Sequence, residues 1–300
     1  VNPSVGHGGA VSEETVPTLV DPAWLERRLD APDVRVLDCT VHLRPAADGE
    51  GYEVESGDED WAAGHVPGSR FADLIEDLSE TDDPDYRFQL PTPEAFAAAV
   101  GELGVGDDSR VVLYDAVDRR RRNGGRARLG GQLRVFGKDG VGARDGGWAG
   151  WTAEDGPVST RPAAPEPATF TPSYRPELVA DAATVEARRD EDDACVINAL
   201  APADHAAERI PGTTNVPAIG DSGVLAADGT YESAPDLRRR FAEVGATAAE
   251  AVVTYCGGGI AASSAALALY RAGVTDAAVY DGSLAEWTAD PDRPVERDEG

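Results

Sequence analysis

The feature that most constrains this 300-residue chain is an internal repeat. Residues 34–38 read as a buried-type strand. A Pro-Gly turn follows at Gly64-His65-Val66-Pro67-Gly68, then a strong apolar strand ending at Asp115, then Asp145-Gly146-Gly147-Trp148. The same order returns as a strand over 194–198, Glu208-Arg209-Ile210-Pro211-Gly212, an apolar strand ending before Cys256, and Asp281-Gly282-Ser283 with Trp287. The turn proline precedes Asp115 by 48 residues in the first copy and Cys256 by 45 in the second. A repeat of this length with alternating strand and helix patterns predicts two copies of one α/β domain. Each copy is expected to hold a mostly parallel sheet flanked by helices. Helices are expected over 19–29, 93–100, 178–188 and through 265–270, each carrying apolar residues at helical spacing.

The boundaries read as a flexible leader at 1–17, a first domain at 18–156, a proline-rich linker at 157–177, a second domain at 178–290 and an acidic tail at 291–300. Six prolines in the linker (157, 162, 165, 167, 172 and 176) predict an extended, stiff segment. Residues 40–60 read as an acidic, glycine-containing loop.

The junction after the second strong strand carries the chemistry. Cys256-Gly257-Gly258-Gly259-Ile260-Ala261 places a cysteine between a strand and a helix. The first amides of a helix lack intrahelical acceptors and carry the positive end of the dipole, so a sulfur there is favoured as the thiolate. Glycines let the loop curl around it. In the first copy Asp115 stands where Cys256 stands in the second, so only one copy carries the nucleophile. Cys39 and Cys195 lie on expected buried strands and read as inert packing residues. Three scattered cysteines exclude a disulfide framework and offer no metal-ligand spacing. A Cys-based phosphatase needs an arginine six residues on, where Ala262 stands. The glycine run does not supply a dinucleotide fingerprint. No metal and no cofactor is expected.

Taken together, these motifs resemble the rhodanese family in its tandem form, over residues 18–290. The Pro-Gly turn at 64–68 resembles that family's Gly-His-Ile-Pro-Gly signature. The segments beginning at Asp145 and Asp281 resemble its Asp-Gly-Gly…Trp element, and 256–261 is similar to its six-residue catalytic loop. The resemblance implies a sulfurtransferase that takes a sulfane sulfur from thiosulfate or 3-mercaptopyruvate. The sulfur is held as a Cys256 persulfide, cradled by the amides of Gly257, Gly258, Gly259, Ile260 and Ala261, and passed to cyanide or a thiol. A sulfur-accepting protein is a further candidate acceptor. The chain departs from the family pattern at Gly257 and Gly258, where thiosulfate-type loops carry Arg and Lys, and at Asn198-Ala199-Leu200, where Asp-x-Arg is usual. A catalytically silent rhodanese-like binding or regulatory module is the alternative reading. His65 and His205 are expected to bond the backbone of their turns.

The residues at 119–131, Arg-Arg-Arg-Arg-Asn-Gly-Gly-Arg-Ala-Arg-Leu-Gly-Gly, do not read as the helix expected there, because interior glycine disfavours helix and little is offered for burial. They read as a loose solvated loop or a local reading-frame error, with an arginine-rich anion-binding loop as the lesser alternative. A net charge of −28, with 55 acidic against 27 basic residues, argues against nucleic acid as a partner. No run is long and apolar enough to suggest a membrane segment. The acid is dispersed and nearly every cation is arginine, which suggests a haloarchaeal, salt-rich cytoplasm.

Overall fold

The computed structural model describes residues 15–46, 52–116, 124–164, 166–220 and 222–298. Most of the expected leader, residues 119–123 of the arginine-rich stretch and the last two residues of the tail lie outside these. The first half contains β1 (Leu19–Val20), α1 (Pro22–Glu26), β2 (Val34–Asp38), β3 (Val41–Pro45), β4 (Tyr52–Ser56), α2 (Asp58–Ala63), β5 (Arg70–Phe71), α3 (Pro93–Glu102), β6 (Arg110–Tyr114), α4 (Gly125–Val135), β7 (Val141–Arg144) and α5 (Gly147–Ala153). The second contains β8 (Val179–Ala180), α6 (Ala182–Arg188), β9 (Ala194–Asn198), α7 (Pro202–Ala207), β10 (Thr214–Asn215), α8 (Ala234–Glu243), β11 (Ala251–Tyr255), α9 (Ile260–Ala272), β12 (Ala278–Tyr280) and α10 (Ser283–Trp287).

Two five-stranded parallel sheets result, with orders β1-β7-β6-β2-β5 and β8-β12-β11-β9-β10. The orders are the same once the strands are matched by repeat. Central strands β6 and β11 are buried almost throughout, as expected of parallel strands covered on both faces. Asp38 pairs with Tyr114 in one sheet and Asn198 with Tyr255 in the other, which puts Asp115 and Cys256 at matching positions.

The duplication extends to side chains. In each copy the tyrosine ending the central strand holds the Pro-Gly turn. The Tyr114 hydroxyl accepts from Val66 N–H (3.2 Å) and lies 3.0 Å from Ser69 Oγ; the Tyr255 hydroxyl accepts from Ile210 N–H (3.1 Å) and lies 2.8 Å from Thr213 Oγ1. Trp151 and Trp287 each donate their indole N–H to a carbonyl 2.9 Å away, of Pro157 and Pro294.

Three expectations need correction. The helices expected over 19–29 and 178–188 each begin with a two-residue edge strand, and the helix proper starts behind an aspartate cap. Asp21 accepts from Trp24 N–H and Asp181 from Thr184 N–H, both at 2.7 Å. The expected loop at 40–60 contains the antiparallel hairpin of β3 and β4.

The third correction concerns 119–131. Residues 125–135 form α4, whose Arg126, Ala127, Arg128, Leu129, Gln132 and Leu133 are buried. Glycine stands at its start because neighbours come too close for a side chain. A Cβ on Gly125 would lie 1.7 Å from the Cys39 carbonyl oxygen, and one on Gly124 would lie 2.9 Å from Ile260 Cγ2. Helix α4 therefore packs tightly on α9 across the two domains. The expected linker lies along the first domain, with Phe170 buried in its core and Ser173 N–H donating to the Phe136 carbonyl (2.8 Å).

Candidate functional site

Cys256 follows the last residue of β11, at the carboxyl end of a central parallel strand, where open α/β sheets place ligands. Its side chain is buried among Ala199, Ala218, Ala262 and Ala265, with Leu200 packed against the same cluster. The next residues turn at once into α9. Gly259 is its N-cap, with φ +84°, a conformation that glycine adopts without strain.

Neighbouring α10 orients the loop. Leu284 N–H donates to the Cys256 carbonyl and Ala285 N–H to the Gly257 carbonyl, each at 3.0 Å. In a trans peptide the N–H points opposite to the C=O, so the amides of Gly257 and Gly258 face away from α10. Among the described residues, the amides of Gly257, Gly258, Gly259, Ile260 and Ala261 donate to no protein acceptor. Five donors and the positive end of a 13-residue helix therefore gather beside the cysteine, an arrangement suited to an anion.

The sixth amide of the loop, Cys256 N–H, donates to Ser283 Oγ (3.1 Å), and the Ser283 hydroxyl donates to the Tyr280 carbonyl (2.8 Å). Asp281, two residues earlier, is gripped by the first domain. Arg128 Nη1 lies 2.6 Å from its Oδ1, while Leu90 N–H (2.8 Å) and the Tyr86 hydroxyl (3.1 Å) donate to its Oδ2. Burial and the Asp281 carboxylate push the Tyr86 phenol up, which keeps it a donor. A second buried pair, Arg126 with Asp115, lies within the first domain, and its Arg126 Nη2 reaches across to donate to the Gly229 carbonyl of the second (2.7 Å). Asp115 thus fills the matching position of the first copy with a structural ion pair.

Neither of the other cysteines belongs to the cluster around Cys256. Burial pushes the Cys39 thiol well up and the Cys195 thiol to about 11, and each faces a backbone carbonyl. His65 is fully buried, stacked on Trp61, with Nδ1 2.8 Å from the Trp61 carbonyl and Nε2 3.0 Å from the Arg161 carbonyl. It is part of the turn, as expected. Burial lowers the pKa of half-buried His205 on α7, with the nearby Arg209 acting the same way.

At Asn198-Ala199-Leu200, Asn198 Oδ1 accepts from Leu200 N–H (2.8 Å), and Asn215 Nδ2 donates to the carbonyls of both residues. These bonds shape the turn without supplying a cation. The exposed Arg87 of the first domain approaches the loop, its carbonyl oxygen 4.0 Å from where a Cβ on Gly258 would stand. No group of three or more His, Cys, Asp or Glu residues among the described residues is placed to hold a metal ion.

Reasoning from sequence did not single out Arg126, Arg128 or Ser283. Aligning the two repeats would have flagged Ser283, which stands where the first copy has Gly147.

Comparison with known proteins agrees with this architecture. A model of the rhodanese-like domain matches residues 21–154 and again 181–290. The 3-mercaptopyruvate sulfurtransferase of Escherichia coli K12 is 31% identical over 284 residues, covering 91% of this chain and 95% of that protein. The thiosulfate sulfurtransferase of Rattus norvegicus is 29% identical over 285 residues, covering 90% and 91%. The crystal structure of SseA from Escherichia coli, described as a 3-mercaptopyruvate sulfotransferase, superposes with a TM-score of 0.75 at 29% identity, covering 89% of this chain and 98% of that one. EanB in complex with hercynine shares the fold, with a TM-score of 0.78 at 22% identity over 94% of this chain and 70% of that one. With a rhodanese-like domain matched in each half and a relative 31% identical along 91% of the chain, the chain belongs to the rhodanese family.

Proposed function

We propose that the protein is a sulfurtransferase that moves a sulfane sulfur from thiosulfate or 3-mercaptopyruvate to cyanide or a thiol, with Cys256 as the carrier. The observation that carries this reading is the cysteine at the end of β11 with five loop amides free to receive a negative charge. The relatives named above are sulfurtransferases of these two kinds, which supports the same reaction class.

The Cys256 thiolate attacks the outer sulfur of thiosulfate; a Cys–S bond forms, the donor's S–S bond breaks, and sulfite leaves with the electron pair. With 3-mercaptopyruvate the C–S bond breaks instead, and the carbon takes the electron pair and a proton to give pyruvate. The resulting Cys256 persulfide carries its charge on the outer sulfur, which the amides of Gly257 to Ala261 would hold as an oxyanion hole holds oxygen. Cyanide then attacks that sulfur, thiocyanate departs and the thiolate returns. The scheme needs no cofactor. The tandem boundaries at 18–156 and 178–290, and a cytoplasmic, salt-rich setting suggested by the dispersed acidity, belong to the same reading.

The test compares Cys256→Ser with Cys39→Ser and Cys195→Ser in transfer to cyanide. Loss of activity in the first alone is expected. Activity surviving in Cys256→Ser, with loss instead in Cys39→Ser or Cys195→Ser, would overturn the assignment, and wild-type protein without activity would favour a silent binding module.

A further inference from the structure

We infer that Ser283 is a positioning residue for the Cys256 loop, and that the first domain holds it in place through the Arg128–Asp281 pair. This rests on the reading of Cys256 as the sulfur carrier.

The first observation is backbone strain. Ser283 has φ +51°, a left-handed conformation that is strained for a residue bearing a side chain. The matching residue of the first copy is Gly147, with φ +54°. The left-handed φ at this position is thus shared by the two copies, although the residue before it differs, Gly146 at φ +74° and Gly282 at φ −69°. The copy without a cysteine uses the residue that adopts this φ freely, whereas the copy with the cysteine bears the strain.

What the serine supplies is its hydroxyl, fully buried between Cys256 N–H and the Tyr280 carbonyl. It withdraws the amide of Cys256 itself from the set facing the sulfur and fixes the peptide from which the side chain projects. The next two amides, of Leu284 and Ala285, fix the following two carbonyls. Ser283 therefore begins a run of three consecutive contacts that set the loop, and it is the only one of the three made by a side chain.

The second observation is what holds Ser283. Asp281 is 6% exposed and Arg128 3%, so the pair is buried between the domains. A buried pair of this kind is weak evidence for stability, because desolvation consumes much of the attraction. Its geometry points to the loop. Arg128 Nη1 would lie 3.0 Å from a Cβ on Gly259, and the Asp281 carbonyl oxygen 3.1 Å from it, so both partners line the loop's far end and leave no room there for a side chain. Arg128 Nη2 also donates to the Phe88 carbonyl, tying the guanidinium back to the first domain. The pair thus lies beside the loop at Gly259 and reaches its other end through Ser283. The matching Asp145 is held by Tyr231 N–H (2.9 Å), the repeat-related counterpart of the Leu90 contact. The arginine is an addition on the side that carries the cysteine.

The experiment measures kcat and donor KM for Ser283→Gly, Arg128→Lys and the double variant, with thermal melts of each. Ser283→Gly keeps the backbone path and relieves its strain, so it is expected to fold. Its kcat should fall roughly 10- to 100-fold, as for a reacting group displaced by about an ångström, with donor KM changed less than about threefold. Arg128→Lys keeps the charge but loses the fork that reaches Asp281 and Phe88 together, and should lower kcat in the same way. The double variant should lose little more than the worse single one, since both act through one contact. Unchanged kcat in Ser283→Gly, or losses that multiply in the double variant, would overturn the proposal. A purely structural role would lower the melting temperature and leave kcat per folded chain intact, which also overturns it. Should Arg128→Lys not fold, Ser283→Gly alone decides. Wild-type protein unable to accept sulfur on Cys256 would instead overturn the functional reading beneath it.

Discussion

The glycines of α4 provide a quantitative test of how this helix packs. Gly125, Gly130 and Gly131 all lie in this helix, yet the structure assigns them opposite behaviour on replacement by alanine. At Gly125 the new Cβ would stand 1.7 Å from the Cys39 carbonyl oxygen and 2.8 Å from its carbon. Both are backbone atoms and cannot rotate away. The peptide that carries this carbonyl is itself pinned, since Thr40 N–H donates to Asp38 Oδ1 (2.9 Å). Overpacking against fixed neighbours costs typically about 1–3 kcal/mol, and a contact this short belongs at or above the upper end. At Gly130 the nearest atom is Leu113 Cδ1 at 3.4 Å, and at Gly131 it is Ser263 Oγ at 4.0 Å, so a methyl fits at either. There alanine should stabilise by about 0.5–1 kcal/mol through lost chain entropy. Urea unfolding of the three single variants in molar KCl measures this through the midpoints at constant m. Gly125→Ala should melt earliest, with Gly130→Ala and Gly131→Ala later than wild type. If all three moved together, or Gly125→Ala were neutral, the segment would be the loose loop that its composition suggests.

Three further outcomes follow from the same geometry. Gly257 has no atom within 4 Å of an added Cβ and Gly258 only the Arg87 carbonyl at 4.0 Å, so Arg and Lys fit there and should raise kcat/KM for thiosulfate by charge-assisted contacts; no gain would mean that another cation, such as Arg87, already serves the dianion. Burial raises the Asp38 carboxyl to about 7, so the folded state binds more protons than the unfolded one between roughly pH 4 and 7, and stability falls as pH rises through that window. Asn198 is its counterpart in the second copy, and Asp38→Asn should stabilise at pH 8 by on the order of 2–4 kcal/mol and flatten the slope; an unchanged pH profile would refute this. With a net charge of −28, the melting temperature should climb from dilute buffer to molar KCl as the Debye length shrinks from about 10 to 3 Å, and a flat or falling curve would remove the case for a salt-rich setting.

The repeat made the fold legible, because strand and helix patterns with matched turns recur at nearly the same spacing. The position of Cys256 was legible for the same reason, as an apolar strand, a cysteine and glycines in sequence have few ways to fold. Two-residue edge strands such as β1 and β8 carry too little pattern to be seen, although the aspartate caps behind them mark where each helix starts. Helix α4 was misread on local propensity. Its glycines and arginines look solvated until the packing around the helix is known: Gly125 lies against the Cys39 carbonyl and Arg126 pairs with Asp115 inside the first domain, while Gly124 meets Ile260 and Arg128 meets Asp281 of the second. The contribution of Ser283 lies in a backbone angle, which residue type alone does not display.

The central claim is that Cys256 carries the sulfur, and the intact mass of the protein tests it most directly. Wild-type protein mixed with thiosulfate or 3-mercaptopyruvate should gain one sulfur atom and lose it again on addition of cyanide. Cys256→Ser should gain none, while Cys39→Ser and Cys195→Ser should behave as wild type. A sulfur adduct on Cys256→Ser, or wild-type protein that stays unmodified with either donor, would contradict the account.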